Sequence, residues 1–321
     1  LLVDLWLPDE KRGITAGLAI LGVLAAAVFQ VALWPGEPVE TFNAMFVLDG
    51  MSYVAKLAVY AVVLVLFVVS RGYLKARQIY KGEFYSLTMF ALLGMCVMVS
   101  ANHFLTLYIG LELLSLSLYA LIALRREDTR ASEAALKYFV LGALASGLLL
   151  YGISMIYGAT GSLLLPEVLM AGLGQSANPW LLKLGLVFVV VAVAFKLGAV
   201  PFHMWVPDVY HGSSTAVTAL VGTAPKIAAA VFAFRILVTG LGVLHTDWVP
   251  MLNMLALASL LVGNLAAVVQ TNIKRMLAYS TVSHMGFVLL AFMGGLEGFS
   301  AALYYALTYA LMALTGFGVL M

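Results

Sequence analysis

Seven ionisable side chains stand inside, or at the edge of, long apolar stretches of this sequence. They are one acid and six bases: Glu112, Lys56, Lys137, Lys183, Lys196, Lys226 and Arg235. Because a charge at the centre of a bilayer costs about 2.5–3.5 kcal/mol on insertion scales, each of them needs a physical reason. Buried ammonium and carboxylate groups that are linked by water and hydroxyls can exchange protons, since each charge biases the next. The pattern indicates a row of buried proton sites.

Glu112 and Lys226 are expected to lie deep in the membrane. Glu112 is nine residues into the apolar stretch 103–124, and a carboxylate has too short a stem to reach water from there. Lys226 is thirteen residues into the stretch 213–240, directly after Pro225. Function is therefore the better explanation for both charges.

Lys196 comes just before a predicted break in its helix. It lies about sixteen residues into the stretch 180–201 and is followed by Gly198 and Pro201. Proline removes a backbone donor and clashes with the preceding turn, so the helix is expected to be interrupted just past the lysine. Because an interruption leaves carbonyl groups unpaired, we expect a hydrated region around Lys196.

The other four bases have simpler explanations available. Long side chains near a helix end can reach the headgroup region, and this snorkelling is the favoured explanation for Lys183 and Arg235. For Lys56, six residues into its stretch, function and snorkelling are equally open. Lys137 can pair with Glu133 four residues earlier, as in an ordinary helix, although a functional role is favoured for it.

Histidine and cysteine offer little for metal or redox chemistry in this chain. Only His284 of the five histidines lies inside an apolar stretch, and no two of them share a face of one helix. We interpret His284 either as a hydrogen-bonded polar residue or as a proton relay, since imidazole changes charge near neutral pH. The single Cys96 can neither form an internal disulfide nor supply an iron–sulfur cluster.

The composition places these charges in a membrane protein. Of the 321 residues, 64% are apolar and only 10% charged, with a mean hydropathy of +1.05, which excludes a soluble globular protein. The 17 Lys and Arg against 15 Asp and Glu form no long basic run, so a nucleic-acid partner is not expected. A Gly-rich dinucleotide-binding motif after a strand is not found either.

Ten stretches are long and apolar enough to cross a bilayer core of about 30 Å. They lie near 14–34, 50–70, 84–101, 103–124, 133–157, 180–201, 213–240, 249–270, 276–294 and 299–321. Lipid offers no partner for a free backbone N–H or C=O, so each stretch is expected to be a helix. The segment 158–179 is predicted to be a short surface connection. The sequence therefore predicts an all-α polytopic membrane bundle.

The connections between these helices differ sharply in charge. On one side they carry eleven bases: Lys11, Arg12, Arg71, Lys75, Arg77, Lys81, Arg125, Arg126, Arg130, Lys274 and Arg275. On the other side they carry none, but hold acids such as Asp49 and Asp247. Because cytoplasmic connections of membrane proteins are enriched in Lys and Arg, the basic side is predicted to be cytoplasmic. One missed helix would scramble this alternation, so the split supports the count of ten.

Four passages of the sequence are distinctive in content and order. They are Gly110-Leu111-Glu112-Leu113-Leu114-Ser115-Leu116, then Glu133-Ala134-Ala135-Leu136-Lys137-Tyr138, then Phe195-Lys196-Leu197 running on to Pro201-Phe202-His203-Met204-Trp205-Val206-Pro207-Asp208-Val209-Tyr210-His211-Gly212, and finally Gln270-Thr271-Asn272-Ile273-Lys274-Arg275-Met276-Leu277-Ala278-Tyr279-Ser280 leading to His284. Together they resemble the antiporter-like membrane subunits of respiratory complex I and of multisubunit cation/proton antiporters. The passage ending at Gly212 is most similar to the subunit N group of bacterial proton-translocating NADH:quinone oxidoreductases.

The resemblance implies roles for individual residues. Glu112 matches the glutamate of the family's fifth helix, and Lys196 matches the lysine of its broken seventh helix. Lys137 and Lys226 match lysines of the sixth and eighth helices, and His284 matches a tenth-helix histidine on the central axis. In the family, the glutamate–lysine pair acts as an electrostatic switch in a proton half-channel, and the further lysines pass protons onward.

The resemblance also implies how the chain is organised. N-terminal helices, the first represented only by its tail, would occupy 1–83. A first five-helix repeat with the half-channel would occupy 84–240, and the start of a second, inverted repeat would occupy 249–321. The family's second broken helix, with its exit-side lysine, would follow. Since the sequence lacks an initiator Met and ends in an apolar run, we expect it to be a fragment of a longer protein.

As a function, the resemblance implies a proton-translocating subunit of a complex in the bacterial inner membrane, driven by quinone reduction in other subunits. The implied partners are neighbouring antiporter-like subunits, small membrane subunits and the lipid bilayer. FMN, iron–sulfur clusters and a quinone would be bound by other subunits, and no cofactor by this chain. Two alternatives are left open: a subunit of a cation/proton antiporter, and a structural spacer whose buried charges only hold helices together.

Overall fold

The computed structural model describes residues 2–7, 12–174 and 177–321, which form an almost entirely helical bundle. One short antiparallel hairpin, β1 (Val39–Thr41) and β2 (Phe46–Leu48), follows the second helix. The α-helices are α1 (Leu2–Leu5), α2 (Gly13–Ala32), α3 (Gly50–Ala76), α4 (Gly82–Ser100), α5 (Phe104–Ile122), α6 (Thr129–Thr160), α7 (Leu165–Leu173), α8 (Pro179–Leu197), α9 (Trp205–Gly212), α10 (Thr215–Val221), α11 (Ala224–Phe234), α12 (His245–Val268), α13 (Ile273–Ala291) and α14 (Gly295–Leu320).

The all-α fold and the ten predicted membrane spans are confirmed. Ten helical segments of the described chain are long and apolar enough to cross a membrane: Gly13–Ala32, Gly50–Ala76, Gly82–Ser100, Phe104–Ile122, Thr129–Thr160, Pro179–Leu197, Thr215–Gly240, Gly242–Val268, Ile273–Gly294 and Glu297–Leu320. Some begin earlier than predicted because polar side chains cap them outside the apolar stretch. Asp128 accepts a hydrogen bond from the Arg130 N–H at the start of α6. Asn272 does the same for the Lys274 N–H at the start of α13.

The segment 158–179 holds more structure than the surface connection that was expected. It contains α7, which has Pro166 in its first turn, where the missing proline N–H would be unpaired in any case. Leu165 and Val168 of this helix are buried. The helix packs against the turn Arg235–Gly240, so the connection is an amphipathic helix docked on the bundle.

Connections that were assigned to the basic side contact one another. Arg12 Nη1 donates to the Tyr80 carbonyl over 3.1 Å. Lys274 Nζ donates to the Ser213 carbonyl over 2.6 Å. Each contact joins two connections of the same predicted side, as ten alternating spans require. Lys11, another of the bases counted on this side, lies outside the described residues.

The break predicted just past Lys196 is confirmed. Helix α8 ends at Leu197, and Gly198 follows with a φ of +80°, a left-handed conformation that residues with a side chain rarely adopt. The chain then crosses a short non-helical segment before α9 begins at Trp205. The last carbonyl groups of α8 are thereby left without partners from its own helix.

The stretch 213–240 is the most enclosed of the spans and is not one helix. In its most apolar window 94% of the residues are buried, compared with 22% for α2. It is interrupted between α10 and α11 at Thr223, whose φ of −124° and ψ of −91° are not helical, and Pro225 lies in the first turn of α11. The other spans pack around this central segment, which ends in a π-helical turn at Arg235–Gly240.

Arg235 does not snorkel, so that prediction is wrong. Its side chain is 4% exposed, Nη1 lies 2.8 Å from Asp49 Oδ2, and Nε donates to the Val99 carbonyl. Burial raises the pKa of Asp49, but the Arg235 guanidinium and the hydrogen bonds from Ser52 outweigh that effect and hold it below its usual value. Arg235 is satisfied inside the bundle because a carboxylate from outside its own span reaches it.

Lys183 agrees with the explanation that was favoured for it. Its side chain is 49% exposed, and its Nζ lies 2.7 Å from Asp247 Oδ1. An exposed pair of this kind contributes little to stability. Lys183 is therefore a partly exposed lysine at a helix end, and it can serve as a control for substitutions of buried lysines.

Breaking the Arg235–Asp49 pair from one side should destabilise the protein. The variant Arg235→Met leaves Asp49 without its counter-charge, and removing one partner of a buried pair costs about 3–5 kcal/mol. We expect the lower end of that range because Asp49 is partly exposed. The measurement is the melting temperature of the full-length protein purified in detergent.

The double variant Asp49→Asn/Arg235→Met is the control, because it leaves no unpaired charge and should recover most of the lost stability. The lowered pKa of Asp49 adds a pH test. The stabilisation from this pair is present at neutral pH and is lost as acidification protonates the carboxylate, below about pH 4. Equal melting temperatures for the single and double variants would contradict this account.

Candidate functional site

A small cavity lies where the broken end of α8 meets α5, α6, α9 and α11. Its lining residues are Met98, Leu111, Leu114, Ser115, Leu118, Tyr138, Lys196, Trp205, Val221, Pro225, Lys226, Ala229 and Phe232. Its volume is about 20 Å³, which is room for about one water molecule. The cavity brings two of the predicted site residues, Lys196 and Lys226, to one water-sized space.

Lys196 and Glu112 each contact a serine hydroxyl. Lys196 Nζ donates to Ser115 Oγ over 2.7 Å, and Ser115 lies three residues after Glu112 on the same face of α5. The Glu112 carboxylate accepts a hydrogen bond from Ser146 Oγ of α6. Glu112 and Lys196 are close enough to interact electrostatically, although no direct ion pair joins them among the described residues. The predicted acid and base are therefore neighbours.

Lys226 closes the broken end of α8. Its side chain is 1% exposed, and its Nζ donates to the Leu197 carbonyl over 2.9 Å and to the Lys196 carbonyl over 3.2 Å. The Nζ also lies 4.8 Å above the Trp205 ring, a distance typical of a cation–π contact. A cation at the C-terminal end of a helix is favourable, because unpaired carbonyls carry partial negative charge there.

Lys137 lies apart from this buried cluster. Its Nζ is 2.8 Å from Glu133 Oε1 and 3.0 Å from Asp208 Oδ2, and its side chain is 46% exposed. The predicted pairing with Glu133 is thus observed. The residue lines an open pocket of about 300 Å³ between α6 and α9, on the side predicted to be cytoplasmic. We call this pocket the vestibule.

Asp208 joins the two sides of the vestibule. One of its oxygens faces Lys137, and the other lies 2.9 Å from Arg275 Nη1 on α13. Burial raises the pKa of Asp208, but Lys137 and Arg275 overcome that effect and hold it below its usual value. Asp208 was not among the predicted site residues, although it lies in a passage that resembles the family.

His284 faces α14 at some distance from the broken helix. Its Nδ1 lies 2.8 Å from the Tyr305 hydroxyl, and its ring centroid is 5.1 Å from that of Tyr309. The imidazole is partly buried. Both interpretations of His284, a hydrogen-bonded polar residue and a proton relay, are compatible with this position.

Lys56 is buried in a different part of the bundle. Its side chain is 5% exposed, and its Nζ lies 4.8 Å above the Phe46 ring. It interacts electrostatically with Asp49 and Arg235, but it does not line the cavity of Lys196 and Lys226. Snorkelling does not explain Lys56, and the structure does not connect it with the other candidate proton sites.

Several groups around the cavity were not predicted to belong to the site. Ser115, Ser146, Tyr138 and Trp205 all contact a candidate proton site or line the cavity between two of them. Ser115 could have been found from its spacing of three residues from Glu112. Within the described ranges, no group of three or more His, Cys, Asp and Glu side chains is placed to hold a metal ion.

The sequence and the fold are similar to those of known membrane proteins. Residues 101–321 match the family described as "NADH:quinone oxidoreductase/Mrp antiporter, TM". The chain is 69% identical over 318 residues to NADH-quinone oxidoreductase subunit N of Neisseria gonorrhoeae, a match that covers 99% of this chain and 66% of that protein. The chain thus spans about two thirds of the length of this curated relative.

Solved structures share the fold. A chain of respiratory complex I from Thermus thermophilus with bound aureothin superposes with a TM-score of 0.83 at 36% identity, over 99% of this chain and 67% of that one. A chain of the Mrp complex from Dietzia sp. superposes with a TM-score of 0.82, over 95% of this chain and 59% of that one. At 22% identity, the second likeness concerns the fold alone.

The sequence match, the superposition and the ten helices agree with one another. The resemblance seen in the four passages around Glu112, Lys137, Lys196 and His284 is thereby confirmed. The chain is a multi-pass protein of the bacterial inner membrane. It belongs to the NADH:quinone oxidoreductase/Mrp antiporter family of membrane subunits.

Proposed function

We propose that this chain is the proton-translocating, antiporter-like subunit N of a NADH:quinone oxidoreductase. The observation that carries the proposal is that Ser115, Lys196 and Lys226 line one water-sized cavity, while Glu112, held by Ser146, lies close enough to Lys196 to interact with it electrostatically. A purely structural set of charges has no need of such a connection. Isolated buried charges are instead satisfied as Arg235 is, by one tight ion pair.

Glu112 acts as the switch in this scheme. Its negative charge favours the ammonium form of Lys196, which a proton can reach through the Ser115 hydroxyl. When the influence of Glu112 is weakened, the proton leaves Lys196 for the water in the cavity and then for Lys226. Because Lys196 and Lys226 repel each other when both are charged, protonation of one favours release from the other.

The vestibule is the proposed cytoplasmic mouth of this route. It is open, it lies on the basic side of the bundle, and it presents Lys137, Glu133 and Asp208 to water. We propose that Lys137 holds a proton in the vestibule before the proton moves inward. His284 is the proposed next site beyond Lys226, on the side of α13 and α14.

The wider organisation follows the family. We propose that 1–83 are N-terminal helices, that 84–240 form a first repeat and that 249–321 begin a second, inverted one. The partners would be the neighbouring antiporter-like subunits and small membrane subunits of the complex. FMN, iron–sulfur clusters and the quinone would be bound in other subunits, where quinone reduction supplies the energy. This chain would supply only proton sites.

A cation/proton antiporter subunit is the second candidate function. The family description, which names both kinds of subunit, favours it as an alternative. The 69% identity to a subunit N favours the oxidoreductase instead. Copurification with flavin and iron–sulfur proteins would support the first function, and sodium-driven proton release without electron transfer would support the second.

Loss of Lys226 should uncouple and slow the complex. In inside-out vesicles with the assembled complex, Lys226→Ala and Lys196→Ala should each lower the proton-to-electron ratio. NADH:quinone reductase activity should fall about fivefold or more, because the coupled steps depend on each other. Lys183→Ala, which removes a lysine at a helix end, is the control and should behave as wild type. An unchanged ratio in both cavity variants would refute the proposal.

Ser115 and Ser117 form a matched pair that tests the link to Lys196. Both hydroxyls donate over 2.6 Å to the carbonyl four residues earlier on α5, but of the two only Ser115 accepts a hydrogen bond from Lys196 in the described structure. A hydrogen bond to a charged group contributes about 1.5–3 kcal/mol, so Ser115→Ala should slow proton pumping about tenfold or more. Ser117→Ala should leave the rate unchanged. Equal rates in the two variants would remove Ser115 from the route.

A further inference from the structure

Three buried hydroxyls meet between the broken-helix region and the start of the proposed second repeat. They belong to Tyr210 on α9, Thr281 on α13 and Tyr309 on α14, each no more than 4% exposed. Tyr309 donates to Thr281 Oγ1 over 2.7 Å. The Tyr210 hydroxyl is close enough to both to interact electrostatically, although it makes no hydrogen bond of normal geometry to a described residue.

These hydroxyls lead to His284. Tyr305 is one turn before Tyr309 on α14, and its hydroxyl lies 2.8 Å from His284 Nδ1. Thr281 and His284 are likewise one turn apart on α13, and the rings of His284 and Tyr309 lie 5.1 Å apart. Helices α13 and α14 therefore contact each other through polar groups at two successive turns, with Thr281 and Tyr309 at one turn and His284 and Tyr305 at the next.

The same hydroxyls lead back to the cavity of Lys196 and Lys226. Tyr138 lines that cavity, and its ring stacks on Trp205 with centroids 4.5 Å apart. Tyr210 follows Trp205 by five residues on α9 and interacts electrostatically with Tyr138. Tyr210 therefore interacts electrostatically with the tyrosine that lines the cavity and with the Thr281–Tyr309 pair.

The Tyr210 hydroxyl is the least satisfied member of the series. A buried hydroxyl without a protein partner is a place where an ordered water molecule binds. One water at Tyr210 would join its hydroxyl to the Thr281–Tyr309 pair. Tyr309 and Tyr305 lie one turn apart on α14, so a second water between their hydroxyls would complete the hydrogen-bonded connection to His284.

From these positions we infer that Tyr210, Thr281, Tyr309 and Tyr305 form a hydroxyl chain that carries protons between the Lys196–Lys226 cavity and His284. The inference rests on the proposed function and names the groups that bridge its two parts. A hydroxyl both donates and accepts, so each member can take a proton on its oxygen and release its own to the next. The hydroxyls keep one proton each, and the net result is that a lysine ammonium at the cavity loses one proton and His284 gains one at Nδ1.

A purely structural role is the competing explanation for these contacts. Hydrogen bonds between membrane helices contribute little to stability on average. A structural role therefore depends little on which hydroxyl is present, and it does not affect the transfer of protons. The hydroxyl chain depends on every oxygen and on proton exchange, which a solvent isotope effect measures.

Thr281 offers the sharpest test, because two of its variants each differ from the wild type at a single heavy atom. Thr281→Val keeps the shape and removes the oxygen, whereas Thr281→Ser keeps the oxygen. In the assembled complex in vesicles, we expect Thr281→Val to lose proton pumping and Thr281→Ser to retain it. The wild-type pumping rate should be slower in D2O than in H2O. Any proton pumping that remains in Thr281→Val should not show the wild-type ratio of the rates in H2O and D2O.

Tyr309→Phe is the second variant, with Tyr304→Phe as its control. Both tyrosines are on α14, but Tyr304 is 69% exposed and is not a member of the proposed hydroxyl chain. We expect loss of pumping for Tyr309→Phe only. If Thr281→Val reduces the amount of assembled complex, Tyr309→Phe decides, since its ring packing is retained.

Normal pumping with a wild-type isotope effect in Thr281→Val or Tyr309→Phe would overturn the hydroxyl chain. Membranes prepared in the same way with the Lys226→Ala variant distinguish failure of the hydroxyl chain from failure of the proposed function. If Lys226→Ala abolishes pumping while Tyr309→Phe does not, protons leave the cavity by another route and the proposed function stands. If neither variant affects pumping, both the hydroxyl chain and the proposed function fall.

Discussion

The contact on which the rest of the site depends is that of the Lys226 ammonium with the last carbonyls of α8. A helix that stops inside a membrane leaves carbonyl groups without donors, and lipid cannot supply any. Lys226 supplies them from a neighbouring span, and Gly198 lets the backbone turn away in a left-handed conformation. Without both residues, the broken end would be too costly to keep. With them, Lys196 and Lys226 are held around one small polar space.

Several charges elsewhere in the bundle are satisfied by ion pairs. Arg235 is paired with Asp49, and in the vestibule Lys137 is paired with Glu133 and shares Asp208 with Arg275. Around the cavity, by contrast, two lysines, hydroxyls and aromatic rings gather without a direct ion pair among the described residues. In the proposed function, the paired charges fix the shape of the bundle and the charges around the cavity change their protonation.

Much of this arrangement could be predicted from the sequence, because it is local. Span length and hydropathy determined the ten helices, and Gly198 with Pro201 predicted the break after Lys196. The errors came from partners far along the chain. Asp49 lies 186 residues from Arg235, and Asp208 lies 71 residues from Lys137, so neither pair leaves a pattern of spacing. The interruption at Thr223 lies within a continuous apolar stretch, and only the neighbouring Pro225 hints at it.

The size of the cavity has a consequence for selectivity. A space of about 20 Å³ admits a single water but not a sodium ion with its shell of oxygen ligands. Nor does the lining supply a replacement shell, since its polar side chains are two lysines, a serine, a tyrosine and a tryptophan. In the proposed function, charge therefore crosses this point as a proton, by rearrangement of O–H and N–H bonds between the lysines and one water, and not as a sodium ion.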